Sequence, residues 1–387
     1  MKLKDLILSL ASTPLALCQV RGAPFGFARG TTGGGNATPI YPRTIQELAG
    51  YLTDNEARVI MIDRTFDFRT SEGITNGQCC RLTTCTNGFQ PQLYIGDTCN
   101  GGTWEPCTYN NAPRSPIDVK SNKSLVGVGT RGVIRGKGLR LRASTSNVII
   151  QNIHFTDLNP RYIWGGDIIT LDGCDRVWID HNKFSLTGRQ MIVAGWGAAG
   201  RVTISDNEFD GKSSWSASCN GKHYWGLLLI GEDDFYTISG NWFHDLSGRA
   251  PHLGTGDNSR NVVHIVNNYF QEIDGHALDI SGNAWALVEG NFFENVKEPV
   301  SSGSGSDGAK IYDIRTVADA SNAQTALGYI PEWNRNSGTS GTPKVRLDRD
   351  ALTRLGQHKN DITWNHWKVQ DVPTNVRNIA GVGRIGN

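Results

Sequence analysis

Hydrophobic and polar residues alternate in a series of short segments through the middle of the chain. The six segments are VIIQNIHF (148–155), VWIDHNKF (177–184), VTISDNEF (202–209), YTISGNWF (236–243), VHIVNNYF (263–270) and ALVEGNFF (286–293). Each begins with alternating β-type residues and ends in phenylalanine, which predicts a strand that leads into a turn. Their spacing is irregular, between 23 and 34 residues, so globular hairpins remain an alternative to a solenoid.

The polar position two residues before the phenylalanine favours the solenoid. Five of the six segments have asparagine there: Asn182, Asn207, Asn241, Asn268 and Asn291. In a stack of coils, one amide can bond the next and one ring can pack on the next. We therefore predict an all-β fold, a right-handed single-stranded parallel β-helix with an asparagine ladder and a phenylalanine stack. His181, in a column of small or polar residues, is predicted to be structural.

The two ends of the repeat region differ from its middle. Residues 44–53, TIQELAGYLT, have apolar groups at helical spacing and predict a short helix that caps the open end of the solenoid. After about residue 300 the ladder is expected to stop. The remaining tail predicts loops and a helix around Asp348 to Leu355. Residues 19–387 are predicted to form a single domain.

The residues that start the strand after each repeat include several polar and aromatic groups. The starts fall at Asp167, Arg189, Trp225, Arg249 and His276. The separation of 22 residues from Asp167 to Arg189 is about one coil, which predicts carboxylate beside guanidinium. Such a pair on a solenoid face is usually an ordinary ion pair worth at most about 1 kcal/mol. His276 is predicted to be structural, at the rim of its strand.

Two long insertions, NPRYIWGG and GKSSWSASCNGKHY, interrupt the repeats near these strand starts. Insertions in solenoids lie on one face, often the binding face. Four large aromatic residues in or just after them are Trp164, Trp215, Tyr224 and Trp225. They could be packing residues, but flat rings at a binding face also suit the faces of sugars.

Charge and the first residues restrict the partners and the location. The chain has 387 residues, with 38 basic and 37 acidic ones, so neither nucleic acid nor an anionic membrane is indicated as a partner. Residues 1–18 combine two lysines with an apolar run too short to span a bilayer, which predicts a secretory signal peptide. No later segment is long and apolar enough to cross a membrane, and we expect a secreted, extracellular monomer.

Cysteine usage agrees with export. Five of the eight cysteines lie close together, at Cys79, Cys80, Cys85, Cys99 and Cys107, with irregular spacing and no histidine between them, which disfavours zinc. Without Cys18, and with Cys174 interpreted as a buried free thiol, six cysteines remain for three disulfides. Cys219 is predicted to be the long-range partner of the cluster. Asn36 and Asn122 are candidate glycosylation sites if a eukaryotic host secretes the protein.

Up to about residue 300 the chain resembles the pectin lyases, the methyl-ester-specific members of the pectate lyase superfamily. The matching motifs are GFARGTTGGG, the cysteine-rich insert, SNKSLVGVGTRGVIRGKGLRL, WGGDIITLDGCDRVWIDH, SGRAPH and VNNYFQEIDGHALDI. WIDH and the glycine-rich opening are shared by the superfamily. WGGD, and GRQ after WIDH, point to the pectin lyase branch.

The resemblance implies a reaction and a set of residues. Pectate lyases have a calcium-binding acid where this chain has Arg189, and a fixed cation there would repel calcium. The implied activity is β-elimination on methyl-esterified pectin without metal or cofactor, with Arg249 as the base and Arg189 and Asp167 as its neighbours. His252 stands where the family commonly has lysine, and as a neutral donor to the ester carbonyl it would supply less positive potential.

Three other functions compete with this one. A calcium-dependent pectate lyase would need an acid in place of Arg189. A polygalacturonase would need a close pair of carboxylates, and the strand starts show none. A non-catalytic pectin-binding β-helix protein stays open because of His252.

Overall fold

The computed structural model describes residues 20–86, 88–254, 258–301, 308–343, 346–362 and 366–386. The predicted signal peptide, including Cys18, lies outside the described residues. The chain winds through three parallel sheets, so that each strand pairs with strands of the coils before and after it. The predicted right-handed parallel β-helix is confirmed. Among the described residues, no helix has both the length and the apolar character needed to cross a bilayer.

Each coil contributes one short strand to each sheet, and some strands turn a corner and join two sheets. The strands of the sheet that bears the strand starts are Ile117–Asp118, Leu139–Gln151, Ile169–Asp180, Ile192–Ala194, Leu227–Leu229, His252–Leu253 and the end of Tyr269–Ile280. The second sheet contains Pro39–Ile40, Arg58–Ile62, Lys123–Gly127, Arg201–Ser205, Asp234–Ser239, Asn261–Val266, Ala284–Glu289 and Lys310–Asp313, with the ends of the two long strands. The third contains Thr65–Asp67, Val133–Arg135, His154–Thr156, Lys183–Phe184, Glu208–Asp210, Trp242–His244, Tyr269–Ile280, Phe292–Val300 and Arg335–Ser337.

The interior of the solenoid contains the predicted stack of rings. The phenylalanines that end the six repeats, Phe155, Phe184, Phe209, Phe243, Phe270 and Phe293, are fully buried. Neighbouring rings are nearly parallel, with centroids 4.6 to 5.7 Å apart. Stacked aromatic pairs stabilise the fold beyond the burial of their surface. Because each ring must lie on the ring of the previous coil, the stack helps to fix the register of the coils.

The asparagine ladder is also present, and it is longer than predicted. Asn241 shows the pattern: its Nδ2 donates to Oδ1 of Asn268, and its Oδ1 accepts from Nδ2 of Asn207. The prediction that the ladder stops after residue 300 is wrong, because Asn334 accepts from Nδ2 of Asn291 and forms a further rung. The chain leaves the coils after Lys310–Asp313, which pairs with Ala284–Glu289, and returns with Arg335–Ser337 paired to Phe292–Val300. Because of this excursion, Asn334 does not follow Asn291 at the spacing of the other repeats, and the sequence pattern does not reveal it.

In the described part of the chain, five α-helices flank the strands: α1 (Ile45–Thr53), α2 (Val317–Leu327), α3 (Arg349–Gly356), α4 (Lys359–Ile362) and α5 (Val372–Ile379). The predicted α1 is confirmed; Thr44 caps it, and Leu48 and Leu52 pack into the main core. The predicted helix near Asp348 is α3. Together with α2 it packs over a second apolar cluster outside the coils.

The cysteine-rich insert forms a small sheet of its own. Ile74–Arg81 pairs antiparallel with Thr103–Asn110 and with Leu93–Tyr94, and Tyr162–Ile163 of the first insertion joins its edge. The bridges are Cys79–Cys107, Cys80–Cys99 and Cys85–Cys219, and Cys174 is a buried free thiol. Both predictions about the cysteines are confirmed. The bridge to Cys219 ties the insert to the second insertion, beside the strand starts.

Candidate active site

Asp167 and Arg189 lie side by side at the start of adjacent coils, as their spacing predicted. The Nη1 atom of Arg189 is 3.5 Å from Oδ2 of Asp167, and the other carboxylate oxygen accepts the backbone N–H of Gln190 at 2.7 Å. Their strands pair in parallel, with Ile169 opposite Ile192. The two side chains are only 23% and 16% exposed, so the pair lies partly shielded from water.

Burial dominates the electrostatics of this pair. It raises the pKa of Asp167 above its ordinary value, and the positive charge of Arg189 opposes that rise only in part. Burial also lowers the pKa of Arg189; Asp167 opposes this shift, while the charge of Arg249 adds to it. The two guanidinium groups are therefore close enough for their charges to interact. Such an arrangement favours a ligand that becomes negatively charged.

Each arginine rests on aromatic rings from the strand starts or the insertions. The guanidinium carbon of Arg189 lies 3.7 Å from the ring centroid of Trp164, and that of Arg249 lies 4.8 Å from the Trp225 centroid and 5.6 Å from the Tyr224 centroid. Stacking of this kind holds the planar guanidinium group in a fixed orientation. Trp164 stays 44% exposed, so its ring also faces solvent at this surface.

The next coil adds a carboxylate that the sequence argument missed. Asp279 lies opposite His252 in register, and its Oδ2 is hydrogen-bonded to Nδ1 of His252 and 3.5 Å from Nε2 of His276. Burial raises the pKa of Asp279, but the hydrogen bond and charge of His252 and the charges of His276 and Arg249 outweigh it, and the net pKa is low. In the sequence, the only indication that Asp279 belongs to the site was its position three residues after the strand start at His276.

His276 itself is close to the site. Its ring meets the Tyr224 ring edge-on, with centroids 5.9 Å apart. Burial lowers the pKa of His276, and the charges of His252 and Arg249 lower it further, against the opposing effect of Asp279. Its role as a purely structural residue stays a prediction.

Two buried polar side chains brace the strand starts from behind. Nε2 of His223 donates to the carbonyl of Arg189 at 2.7 Å, and burial lowers the pKa of His223 to about 4, so the ring is neutral at ordinary pH. Gln92 of the insert donates to the carbonyls of Pro160 and Gly188 and accepts from Nε1 of Trp225. Neither residue belongs to a repeat, so periodicity could not reveal them.

Trp215 occupies a different place from the other predicted ring residues. It bridges to Gln90 of the cysteine-rich insert, with backbone hydrogen bonds from Gln90 to Ser214 and from Ser216 to Gln90. Trp164, Tyr224 and Trp225 contact the two arginines, whereas the described contacts of Trp215 join the two loops. Its role in substrate binding stays a prediction.

The residues around Arg189 do not suit calcium. Calcium requires six to eight oxygen ligands. Here one oxygen of Asp167 faces a guanidinium and the other accepts a backbone N–H. Within the described residues, the three groups of side chains close enough to share a metal are His264–Glu289–His366, Asp180–His181–Asp206 and Glu208–Asp210–His244, and none includes Asp167.

The chain is similar in sequence to known pectate and pectin lyases. A family model described as pectate lyase matches residues 101–327. A protein of Aspergillus terreus named "Probable pectin lyase F-1" is 59% identical over 384 residues, covering 97% of this chain and 98% of that one. A protein of Aspergillus fumigatus named "Probable pectin lyase E" is 55% identical over 388 residues, covering 99% and 100%.

Solved structures share the fold. A pectate lyase variant from Xanthomonas campestris superposes with a TM-score of 0.58 at 20% identity, covering 94% of this chain and 99% of that one. A pectate lyase from Acidovorax avenae gives 0.57 at 16% identity, covering 98% and 99%. At such low identity the likeness concerns the β-helix alone.

Proposed function

Because the chain belongs to the pectin lyase branch of the pectate lyase superfamily, we propose that it cleaves methyl-esterified galacturonan by β-elimination without calcium. The observation that carries the proposal is the pair of Asp167 and Arg189. By the family resemblance, Arg189 stands where calcium-dependent pectate lyases have an acid. It is paired with Asp167, and the charge of Arg249 acts on it. A neutral ester needs no metal to neutralise its charge. It does need cations where charge develops during the reaction.

The reaction breaks one C–H and one C–O bond of the polymer. A base removes the proton from C5 of a galacturonate methyl ester, and negative charge collects on the ester oxygen as an enolate. The electron pair then forms the C4–C5 double bond and expels the glycosidic oxygen at C4, which takes up a proton. The products are an unsaturated oligogalacturonide methyl ester and a shortened chain.

The arginines serve this reaction mainly by stabilising charge. Arg249 corresponds to the family's base, but a guanidinium keeps its proton under nearly all conditions. We therefore assign Arg249 and Arg189 to stabilising the enolate. Arg249, nearest C5, is the proton acceptor that the family resemblance names, and it can take the C5 proton only in its neutral form. Asp167 positions Arg189 and limits the repulsion between the two cations.

The rings and His252 complete the proposed binding surface. Trp164, Tyr224 and Trp225 hold the arginines on one side and offer flat apolar faces to sugar rings. His252, fixed by Asp279, donates to the ester carbonyl. Asn36 and Asn122 are exposed and would accept glycans in a secreted protein, in keeping with the three disulfides and an extracellular monomer.

The direct test uses purified protein, highly methylated pectin and a chelator. We expect ultraviolet absorbance from unsaturated uronides to grow at the same rate with chelator and with added calcium. Polygalacturonate should be cleaved more slowly than the ester. A requirement for calcium would show a pectate lyase instead, and binding without unsaturated products would show a non-catalytic pectin-binding protein.

A further inference from the structure

A second cleft adjoins Asp167. A cleft of about 330 Å³ is lined by Tyr94, Ile95, Arg114, Trp164, Gly166 and Asp167. This volume is at the small end of the range for ligand pockets. The cleft shares Trp164 and Asp167 with the candidate active site, so a polymer bound at the arginines would place a neighbouring sugar residue here.

Arg114 is the cation of this cleft, and the backbone fixes its place. It ends the 3₁₀ turn Ala112–Arg114, whose Pro113 carbonyl packs so closely on Gly166 that a Cβ atom there would lie 2.4 Å away. Gly166 precedes Asp167 and accepts the backbone N–H of Arg189. The turn that carries Arg114 is therefore attached directly to the site.

The guanidinium of Arg114 is available to a ligand. It lies 5.2 Å from the ring centroid of Tyr109 and its Nη1 is 3.4 Å from the Tyr109 hydroxyl. Within the described part of the chain it forms no ion pair, whereas Arg140 and Arg142, on the next coil, both pair with Asp118. The side chain is exposed. Its positive charge lies beside the Tyr109 ring, and no acid of the described protein forms an ion pair with it.

We propose that this cleft binds a galacturonate residue whose carboxylate is free, with Arg114 as its counter-charge, next to the methyl-esterified residue at Arg189 and Arg249. This inference rests on the proposed function and adds a preference for partly esterified pectin. A neutral ester would gain little from an unpaired guanidinium, whereas a carboxylate can accept both N–H groups of its fork. Asp167 does not repel the ligand strongly, since its oxygens face Arg189 and Gln190.

The test compares two substrates and two variants. The substrates are fully methyl-esterified pectin and randomly half-esterified pectin; the variants are Arg114→Gln and, as control, Arg43→Gln, which removes an exposed arginine that precedes α1. For Arg114→Gln we expect kcat/KM to fall about five- to tenfold on the half-esterified substrate and less than twofold on the full ester. Arg43→Gln should change neither value.

A second measurement identifies the position of the free acid. Mass spectrometry of wild-type products from half-esterified pectin should show free carboxylates enriched at one fixed distance from the new unsaturated end, and Arg114→Gln should remove that enrichment. An equal loss on both substrates, or no loss on either, would overturn the inference while leaving the lyase intact. If the wild type makes no unsaturated product, the proposed function fails. Calorimetric binding of half-esterified against fully esterified oligomers, with and without Arg114, then decides the inference separately.

Discussion

Replacing Asp167 by asparagine separates the positioning of Arg189 from the stability of the fold. At 3.5 Å and an effective dielectric constant near 20, the attraction between the two charges is about 4 to 5 kcal/mol. Removing ions this buried from water costs several kcal/mol each, which is of the same size. The raised pKa of Asp167 agrees that ionisation at this site is costly. Because the net pKa shift of Asp167 is upward even with Arg189 beside it, the uncharged side chain suits the folded site at least as well as the charged one, and we expect the unfolding free energy of Asp167→Asn to lie within about 1 kcal/mol of wild type at neutral pH.

Activity should respond far more than stability. Without its carboxylate partner, Arg189 keeps the contact with the Trp164 ring but has no acid to offset the repulsion of Arg249, and a displacement of about 1 Å in a site can cost on the order of a hundredfold in rate. We expect kcat for methylated pectin to fall tenfold or more, roughly. Asp167→Ala should show the same loss of rate. It should also lose about 1 to 3 kcal/mol of stability, because the buried Gln190 N–H is left without its acceptor.

The pH dependence of stability tests whether folding raises the pKa of Asp167, as the structure indicates. An acid whose pKa is raised by folding binds more protons in the folded state, so its contribution to stability falls as pH rises from the ordinary value, 3.8, through the raised value. Asp167→Asn lacks this loss, so its stability relative to wild type should improve over that window and then stay constant. Denaturant unfolding at several pH values, beside steady-state kinetics, measures both effects. A loss of more than about 3 kcal/mol in Asp167→Asn would show a net stabilising ion pair instead, and an unchanged kcat would exclude Asp167 from the site.

Two further predictions concern the solenoid. Asn241→Leu should lower the unfolding free energy by about 3 to 5 kcal/mol in thermal or denaturant unfolding, because it leaves buried partners such as the carbonyl of Ile204 and the N–H of Asn207 unbonded; Asn36→Ala on the surface should change it little, and a small effect for Asn241→Leu would mean that the ladder is dispensable. For Glu208, burial raises the pKa but hydrogen bonds from neighbouring cations lower it to about 2 from 4.5, so its stabilisation is complete above pH 4.5 and lost as pH falls toward 2. Glu208→Gln should flatten the acid limb of a stability profile, and an unaltered limb would contradict this assignment.

The repeats made most of the fold predictable from the sequence. Alternation with identical residues in register specifies coils, and the spacing from Asp167 to Arg189 predicts the carboxylate beside a guanidinium that the structure shows. Cysteine parity predicted the free thiol at Cys174. These features are local or periodic, so they can be recognised from the amino-acid sequence.

What escaped prediction depends on contacts between segments of unrelated pattern. Asn334 returns to the ladder after a long excursion, so its rung has no constant spacing. Asp279 was hidden because a carboxylate near a strand start has no meaning until the register sets it opposite His252. Arg114 joins the site only through the close packing of Pro113 on Gly166, which no sequence period encodes.

The most direct test of the two-arginine site is the kinetic effect of Arg249→Lys on methylated pectin. Lysine keeps the charge but loses the planar fork that now stacks on Trp225. If Arg249 stabilises the enolate, its contribution appears mainly in the transition state, so kcat should fall about a hundredfold or more while the equilibrium binding of pectin oligomers changes little. Normal turnover by the variant, or a loss confined to binding, would show that Arg249 is not part of the elimination machinery.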